Sequence, residues 1–571
     1  MFFRLKIRPA FLFLAFLTFL KLWLVSSQNL VAQGEAIHDS RLFINQATSI
    51  VKGEWLGNYS NLTLIKGPMY PAWIALSFLF RVPLLLSQHL LYITACILIT
   101  IALNPIISNK RFLYFFYLVL LFNPVTFDIQ TFAVVLRSGI YSSLTLLSAG
   151  LLIGLYTRRN SRLTSLCIWT IGFAIVSSIF YLTREEGIWL IPFFLLIFAY
   201  LLVELVRHRP KDWILRLEIL SLVPTIFIDV LIIFSLINWT KYGVFTINEL
   251  KHRSFLSAYG ALSRVEVGRW DQYIPVSKET REEIYLVSPS FAKLKPFLEG
   301  DIGRAWAFNS QEVTKRPDSD LEIAGGWWVF ALRDAVAASG FHENGYLAMK
   351  YYDRLSQEVN AACDKGLLKC AKKRSTLIPR WRGEYYRPLF INFKEIFLAI
   401  ISFKDVSTYQ IPSEGLPKSL NLYKSITREE LSPSVYEKTM DQNKIGQLDK
   451  FKSNVLFVII RTYQILVPKI FVISLLIYIY SILHSILTRK FNFLTLLNTA
   501  VLASCLLFIL ILSVVSVAWF PAISIFYISP ATTPFLIFIC LNTYLLLGQV
   551  KRMGLIKKQI LKSLRRSFSL R

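Results

Sequence analysis

Two short polar stretches follow the first apolar run: Glu35-Ala-Ile-His38-Asp39-Ser-Arg41, and Lys66-Gly-Pro-Met-Tyr70-Pro71. They set a carboxylate, an imidazole and several cations in close succession. A carboxylate in that company suits a general base. A hydroxyl that attacks a sugar must lose its proton as the new C–O bond forms, and a positioned acid contributes about 10²–10⁴ in rate to such a step. Nearby Lys or Arg would stabilise the negative charge growing on a departing phosphate. Asp39 is therefore the candidate base. An acid ahead of a helical pattern (Leu42, Ala47 and Ile50 follow it) also suits a plain helix cap, whose oxygens accept the orphan backbone N–H groups. Both readings stand at this point. His38 fits a base, a metal ligand, a phosphate contact or a polar surface group.

Further charged candidates sit at the ends of apolar runs: Arg137, Arg184 with Glu185 and Glu186, Asp128, Arg461 and Lys469. Lys66, Arg137, Arg184, His38 and Glu185 form the candidate set for substrate phosphate. The bland alternative for each cation is snorkelling to lipid headgroups. Lys21 and Asp229 fall inside apolar runs, where charge is costly and needs a cavity or partner; they could pair. No His, Cys and Asp set has zinc spacing, so no metal site is read from the sequence, and dependence on a divalent metal stays open.

These residues must be positioned by membrane helices. Of 571 residues, 54% are hydrophobic and 17% charged, against roughly 25% charged in soluble domains. Several apolar runs reach the ~20 residues that cross ~30 Å of hydrocarbon. The net charge of +27 comes mostly from Lys and Arg at the ends of apolar runs. That is the pattern of cytoplasmic loop signals, so nucleic acid is not an expected partner. Ten spans are predicted, near 10–28, 88–107, 112–127, 138–157, 163–182, 188–206, 214–238, 466–487, 492–516 and 526–548. Residues 70–87, broken by Arg81 and Pro83, read as a juxtamembrane helix. Both termini fall inside, and the basic tail, 549–571, suits an anionic leaflet.

The expected fold class is an all-α polytopic membrane protein with a mostly helical external soluble domain. Residues 1–243 form an N-terminal membrane module, 244–452 the external domain and 453–548 the last spans. Within the domain, an amphipathic stretch runs from 327 to 362 with a break at 340–345, and 390–403 suits a membrane surface. Cys363 and Cys370 close a short external loop and suggest a disulfide. Sequons at Asn58, Asn61 and Asn238 agree with an external face.

Three segments carry a family resemblance: His38-Asp39-Ser-Arg-Leu-Phe43 with Gly53-Glu-Trp55 and Gly67-Pro68-Met-Tyr70-Pro71; Thr183-Arg184-Glu185-Glu186-Gly187; and Tyr527-Ile-Ser-Pro-Ala531. Together they resemble the GT-C superfamily of membrane glycosyltransferases, in the protein-mannosyltransferase, aminoarabinose-transferase and Rgt-like branch. The resemblance covers residues 10–205 and 515–548. It implies a polyprenyl-phosphate-linked sugar as donor, an acceptor glycan, lipid or protein on the outer face, Asp39 as the acceptor-activating base and Arg184 on the donor phosphate. The chain departs from the family pattern at Arg137-Ser138, where an acid is common, and at Phe526, where Arg is common. The rival readings are an O-antigen-type polymerase or ligase, a lipid or sugar transporter, and a non-catalytic protein of the same fold.

Overall fold

In the computed structural model, residues 9–434 and 446–568 are described, without the side chains of 9–11, 185 and 549–568. Arg4, Lys6 and Arg8, the basic start of the chain, lie outside the described residues. The described chain is helical, with isolated β-bridges in place of strands.

Nine helices come first: α1 (Pro9–Val25), α2 (Ser40–Val51), α3 (Met69–Leu79), α4 (Leu84–Leu103), α5 (Lys110–Leu121), α6 (Ser138–Thr157), α7 (Leu163–Thr183), α8 (Ile191–His208) and α9 (Trp213–Tyr242). A helical domain follows: α10 (Arg253–Ser263), α11 (Lys278–Val287), α12 (Pro289–Ala292), α13 (Lys295–Leu298), α14 (Asp301–Thr314), α15 (Gly325–Ala338) and α16 (Gly345–Asp364). Two connecting helices, α17 (Tyr386–Ile401) and α18 (Pro417–Thr427), lead back to α19 (Gln447–Thr488), α20 (Phe493–Ala518) and α21 (Ile525–Phe568).

Eight of these are long and apolar enough to cross a bilayer: α4, α6, α7, α8 with its preceding turn, α9, α19, α20 and the Ile525–Gly548 part of α21. The chain is a multi-pass membrane protein. Two of the ten anticipated runs are shorter as folded. The first run, read to residue 28, ends as a helix at Val25. The run at 112–127 ends as a helix at Leu121, because Asn123 caps a new 3-10 turn through Val125 N–H and Pro124 has no N–H to continue the ladder. The stretch at 70–87 is also two pieces. α3 stops at Leu79, Arg81 takes a left-handed φ of 59°, and Pro83 precedes the first turn of α4.

α6 is the central helix of the membrane module, almost wholly buried against α4 and α7. Small residues allow this closeness; a Cβ on Gly150 would lie 3.1 Å from the Ile99 Cα. α9 is the opposite case, with most of its surface outward. Asp229 lies on that exposed face, and Lys21 is buried elsewhere. The Lys21 ammonium donates to the Leu121 carbonyl (2.8 Å) and to Thr126 Oγ1 (2.9 Å), and sits 4.4 Å above the Tyr92 ring. The anticipated Lys21–Asp229 pair is thus corrected: backbone and aromatic partners satisfy the lysine.

The second core lies in α10–α16 and includes Leu56 and Leu64 from the first loop. The amphipathic stretch forms α15 and α16, with Tyr351, Leu355 and Val359 buried at helical spacing while Leu347 is 37% exposed. Cys363 and Cys370 are bonded. α17 turns Ile396, Ala399 and Ile400 inward against α20 and α21 and leaves Phe390 and Ile391 outward. Asn61 and Asn238 are tied into packing rather than free for modification: Asn61 donates to Asp334, and Asn238 bonds Trp55 and the Thr246 carbonyl.

Candidate functional site

The loop between α1 and α2 is held from behind by the segment at 413–434. Gly34 N–H donates to the Glu414 carbonyl at 2.7 Å, and Ala32 N–H donates to Ser413 Oγ at 3.1 Å. The Tyr423 hydroxyl lies 3.0 Å from the Gln33 carbonyl and 2.9 Å from Ser40 Oγ. This fixes the residues on either side of His38 and Asp39.

Asp39 stands at the N-cap position of α2, yet its side chain makes no cap hydrogen bond. Its Oδ1 pairs instead with Lys66 Nζ. The pair is lopsided: the Lys66 side chain is 9% exposed and the Asp39 carboxylate 54%. The cap reading of Asp39 is thereby set aside. Lys66 lies 5.3 Å from the centre of the Phe43 ring, and Phe43 stands edge-on to Tyr70 at 5.2 Å. So α2 supplies the acid and the ring beside the lysine, and α3 buttresses that ring.

The next residue joins this pair to the end of α7. A Cβ on Gly67 would collide with the Leu182 carbonyl oxygen. Only glycine allows the two backbones this close. Arg137 donates from Nη1 to the Thr183 carbonyl at 3.4 Å, and Arg184 follows directly. The Lys66-Gly67 backbone and the Arg137 guanidinium, far apart in sequence, thus both reach the end of α7, where Arg184 follows.

Arg184 lies over the Tyr141 ring at 5.2 Å and reaches Glu186 at 3.6 Å. Its Nε is buried without a hydrogen bond. Arg184, Arg137 and Lys251 all act electrostatically on Glu186, and the two arginines also act on Tyr527. Tyr527 opens the third of the resembling segments, so two of those segments meet here. The Glu185 side chain lies outside the described residues. Lys251 was not among the sequence candidates. It sits in a 3-10 turn, Glu249–Lys251, 5.6 Å from the Tyr181 ring; nothing in the local composition marks it.

His38 turns the other way, into the helical domain. Its Nε2 is 3.5 Å from Asp334, and its ring contacts Trp306 and Phe330 edge-on at 4.9 and 5.3 Å. Asp334 also accepts from Trp306 Nε1 (2.8 Å) and Asn61 Nδ2 (2.5 Å). His38 thus anchors the loop that carries Asp39 to the domain and is not turned toward Arg137 and Arg184.

The first loop is locked further by a buried pair. Arg333 donates to Glu249 at 2.5 Å and to the Asn61 carbonyl at 2.6 Å, and Tyr59 donates to Glu249 at 2.6 Å. Both charges are fully buried; Glu249 accepts at both oxygens, while Arg333 Nη1 has no hydrogen-bond partner.

The other charges stay apart. Asp128 is buried, accepting from Thr131 N–H (2.8 Å) and Ser407 N–H (2.9 Å), a clip between the membrane module and the segment after α17. Burial pushes its carboxyl up to about 6. Arg461 and Lys469 lie on the exposed face of α19. Among the described residues no cluster of three or more His, Cys, Asp or Glu could hold a metal ion.

No protein-family model and no curated protein matches the chain. Among solved structures, ArnT from Cupriavidus metallidurans in the apo state aligns with 93% of this chain and 76% of its own, at 12% identity and a TM-score of 0.28. The same protein bound to undecaprenyl phosphate aligns with 94% and 77%, at the same identity and score.

Proposed function

We propose that the protein is a membrane glycosyltransferase that moves a sugar from a polyprenyl-phosphate-linked donor to an acceptor hydroxyl on the outer face of the membrane. The observation that carries this is the Asp39–Lys66 pair, with its carboxylate half in solvent and its lysine buried, and with the adjoining Gly67 pressed against the end of α7, where Arg184 follows and to which Arg137 donates.

Each group then has a role. Asp39 takes the acceptor proton as the acceptor oxygen bonds to the anomeric carbon. The bond between that carbon and the phosphate oxygen breaks, and the polyprenyl phosphate leaves with the bonding electrons. Arg184 and Arg137 hold the charge that grows on it, and the Tyr141 ring lies beneath Arg184. Lys66 bridges the two halves. In the resting protein it holds Asp39, and an arriving phosphate competes for its ammonium and frees the carboxylate. The apolar helices around the turn accommodate the lipid tail, and the helical domain over the first loop receives the acceptor.

The test uses purified protein in proteoliposomes supplied with a polyprenyl-phosphate sugar and an outer-leaflet glycolipid acceptor. The reading requires free polyprenyl phosphate and glycosylated acceptor in equal amounts. Movement of the intact donor across the bilayer without bond cleavage would make the protein a transporter instead.

A further inference from the structure

The helical domain carries a second polar site, in the segment between the disulfide and α17. A groove of about 600 Å³ is lined by Glu266, Trp270, Lys369, Arg380, Trp381 and Arg382, among others. We propose that it binds an acidic oligosaccharide, a glycan strand bearing carboxylate or phosphate groups. This goes beyond the transferase reading, because it needs no chemistry at Asp39.

The floor is built by the backbone. Glu266 N–H donates to the Lys369 carbonyl and Ala371 N–H to the Arg264 carbonyl, both at 2.8 Å. The Cys363–Cys370 bond closes the loop that carries Lys369. This gives the disulfide a purpose: it fixes one wall of the groove.

The aromatic wall is also fixed. Buried Tyr385 stands edge-on to Trp270 at 5.7 Å and to Trp381 at 5.3 Å, so one ring sets both indoles. Trp381 is 36% exposed, with apolar surface available for the C–H face of a sugar ring.

The cations are aimed rather than loose. Glu266 accepts from Arg380 at 2.6 Å and lies 3.9 Å from Arg382, and the Arg382 guanidinium lies 5.0 Å from the Trp270 ring centre. A guanidinium has five N–H donors, so both keep donors for a ligand after pairing. The groove's own lining carries three cations, Lys369, Arg380 and Arg382, against the carboxylates of Glu266 and Glu384, and the segment 365–387 that forms most of it carries eight Lys and Arg against one Glu. That excess selects an anionic ligand over a neutral one. The indoles select a sugar over a bare anion.

The experiment measures binding of hexagalacturonate to the full-length protein in nanodiscs of neutral lipid, at low and moderate salt. Maltohexaose, inorganic phosphate and phosphatidylglycerol vesicles are the comparison probes. Hexagalacturonate should bind and weaken with salt. Trp381→Ala should weaken it about tenfold, Trp381→Phe should recover most of the loss, and Lys369→Gln should lower affinity and flatten the salt dependence. Asp39→Asn should bind it as the wild type does, which separates this site from the transferase reading. Equal affinity for maltohexaose, no effect of Trp381→Ala, or binding confined to phosphate or to the anionic vesicles would each overturn the proposal.

Discussion

Lys66 and the arginines have different duties in this account, and substitutions separate them. Arg184→Gln keeps the stacking length over Tyr141 but loses the charge that would meet the phosphate. Transfer should fall about 10²-fold or more, with the larger part in kcat, because the charge develops as phosphate leaves. Lys66→Met removes the bridge, so it should both weaken donor binding and lower turnover. Equal and small effects from both variants would mean that these cations serve packing alone. At this scale the sequence was informative about residue types and silent about contacts. Asp39 as cap and Asp39 as base were both legible; the side chain's turn toward Lys66 removes the cap, and the base is a proposal. Lys251 was invisible because its neighbours Tyr181 and Glu186 lie far away in the chain.

Two elements hold the site in place, and each has its own test. Asp128 clips the segment after α17 to the membrane module. Its carboxyl is raised to about 6 by burial, from about 3.9 in an unfolded chain. Folding therefore favours the protonated form. The associated stability, on the order of 3 kcal/mol, is fully present below about pH 4 and is lost as pH rises through 6. Amide exchange at Ser407 and Thr131 should speed up between about pH 4 and 6 beyond the intrinsic chemical rate. In Asp128→Asn that extra dependence should vanish. The second element is the first loop, locked by Arg333 on Glu249 and the Asn61 carbonyl. Arg333→Ala leaves a buried carboxylate unpaired and should cost about 3–5 kcal/mol, read as a lower midpoint in thermal unfolding. A loss under ~1 kcal/mol would mean that water reaches Glu249 and that the lock is weaker than drawn.

The whole molecule is a membrane bundle roofed by a helical domain, and composition alone made that class legible. Helix lengths were legible where apolar runs are long, as in α6 and α20, and misleading where a local cap intervenes, as at Asn123-Pro124. Mean hydropathy separates the two extremes: the outward α9 reaches 2.5 and the central α6, with its Ser, Thr and Gly residues turned to neighbours, 1.5. Sidedness is a proposal that rests on cation placement. Single cysteines at Lys110, Arg209 and Arg489 should react with impermeant thiol reagents only from the cytoplasmic side, and one at Lys278 only from outside. The disulfide follows the same logic, since an oxidising exterior sustains it. Removing both Cys363 and Cys370 should lower the stability of the domain by about 2–3 kcal/mol, the loop-closure value for so short a loop.

The most direct test of the central claim is transfer by Asp39→Asn, measured beside binding of the polyprenyl-phosphate donor in the same preparation. Asparagine keeps the shape and can still meet Lys66, but it has little capacity to take a proton. The account predicts a fall in turnover of about 10²–10⁴ with donor affinity within a few-fold of the wild type. Turnover at the wild-type level would contradict it.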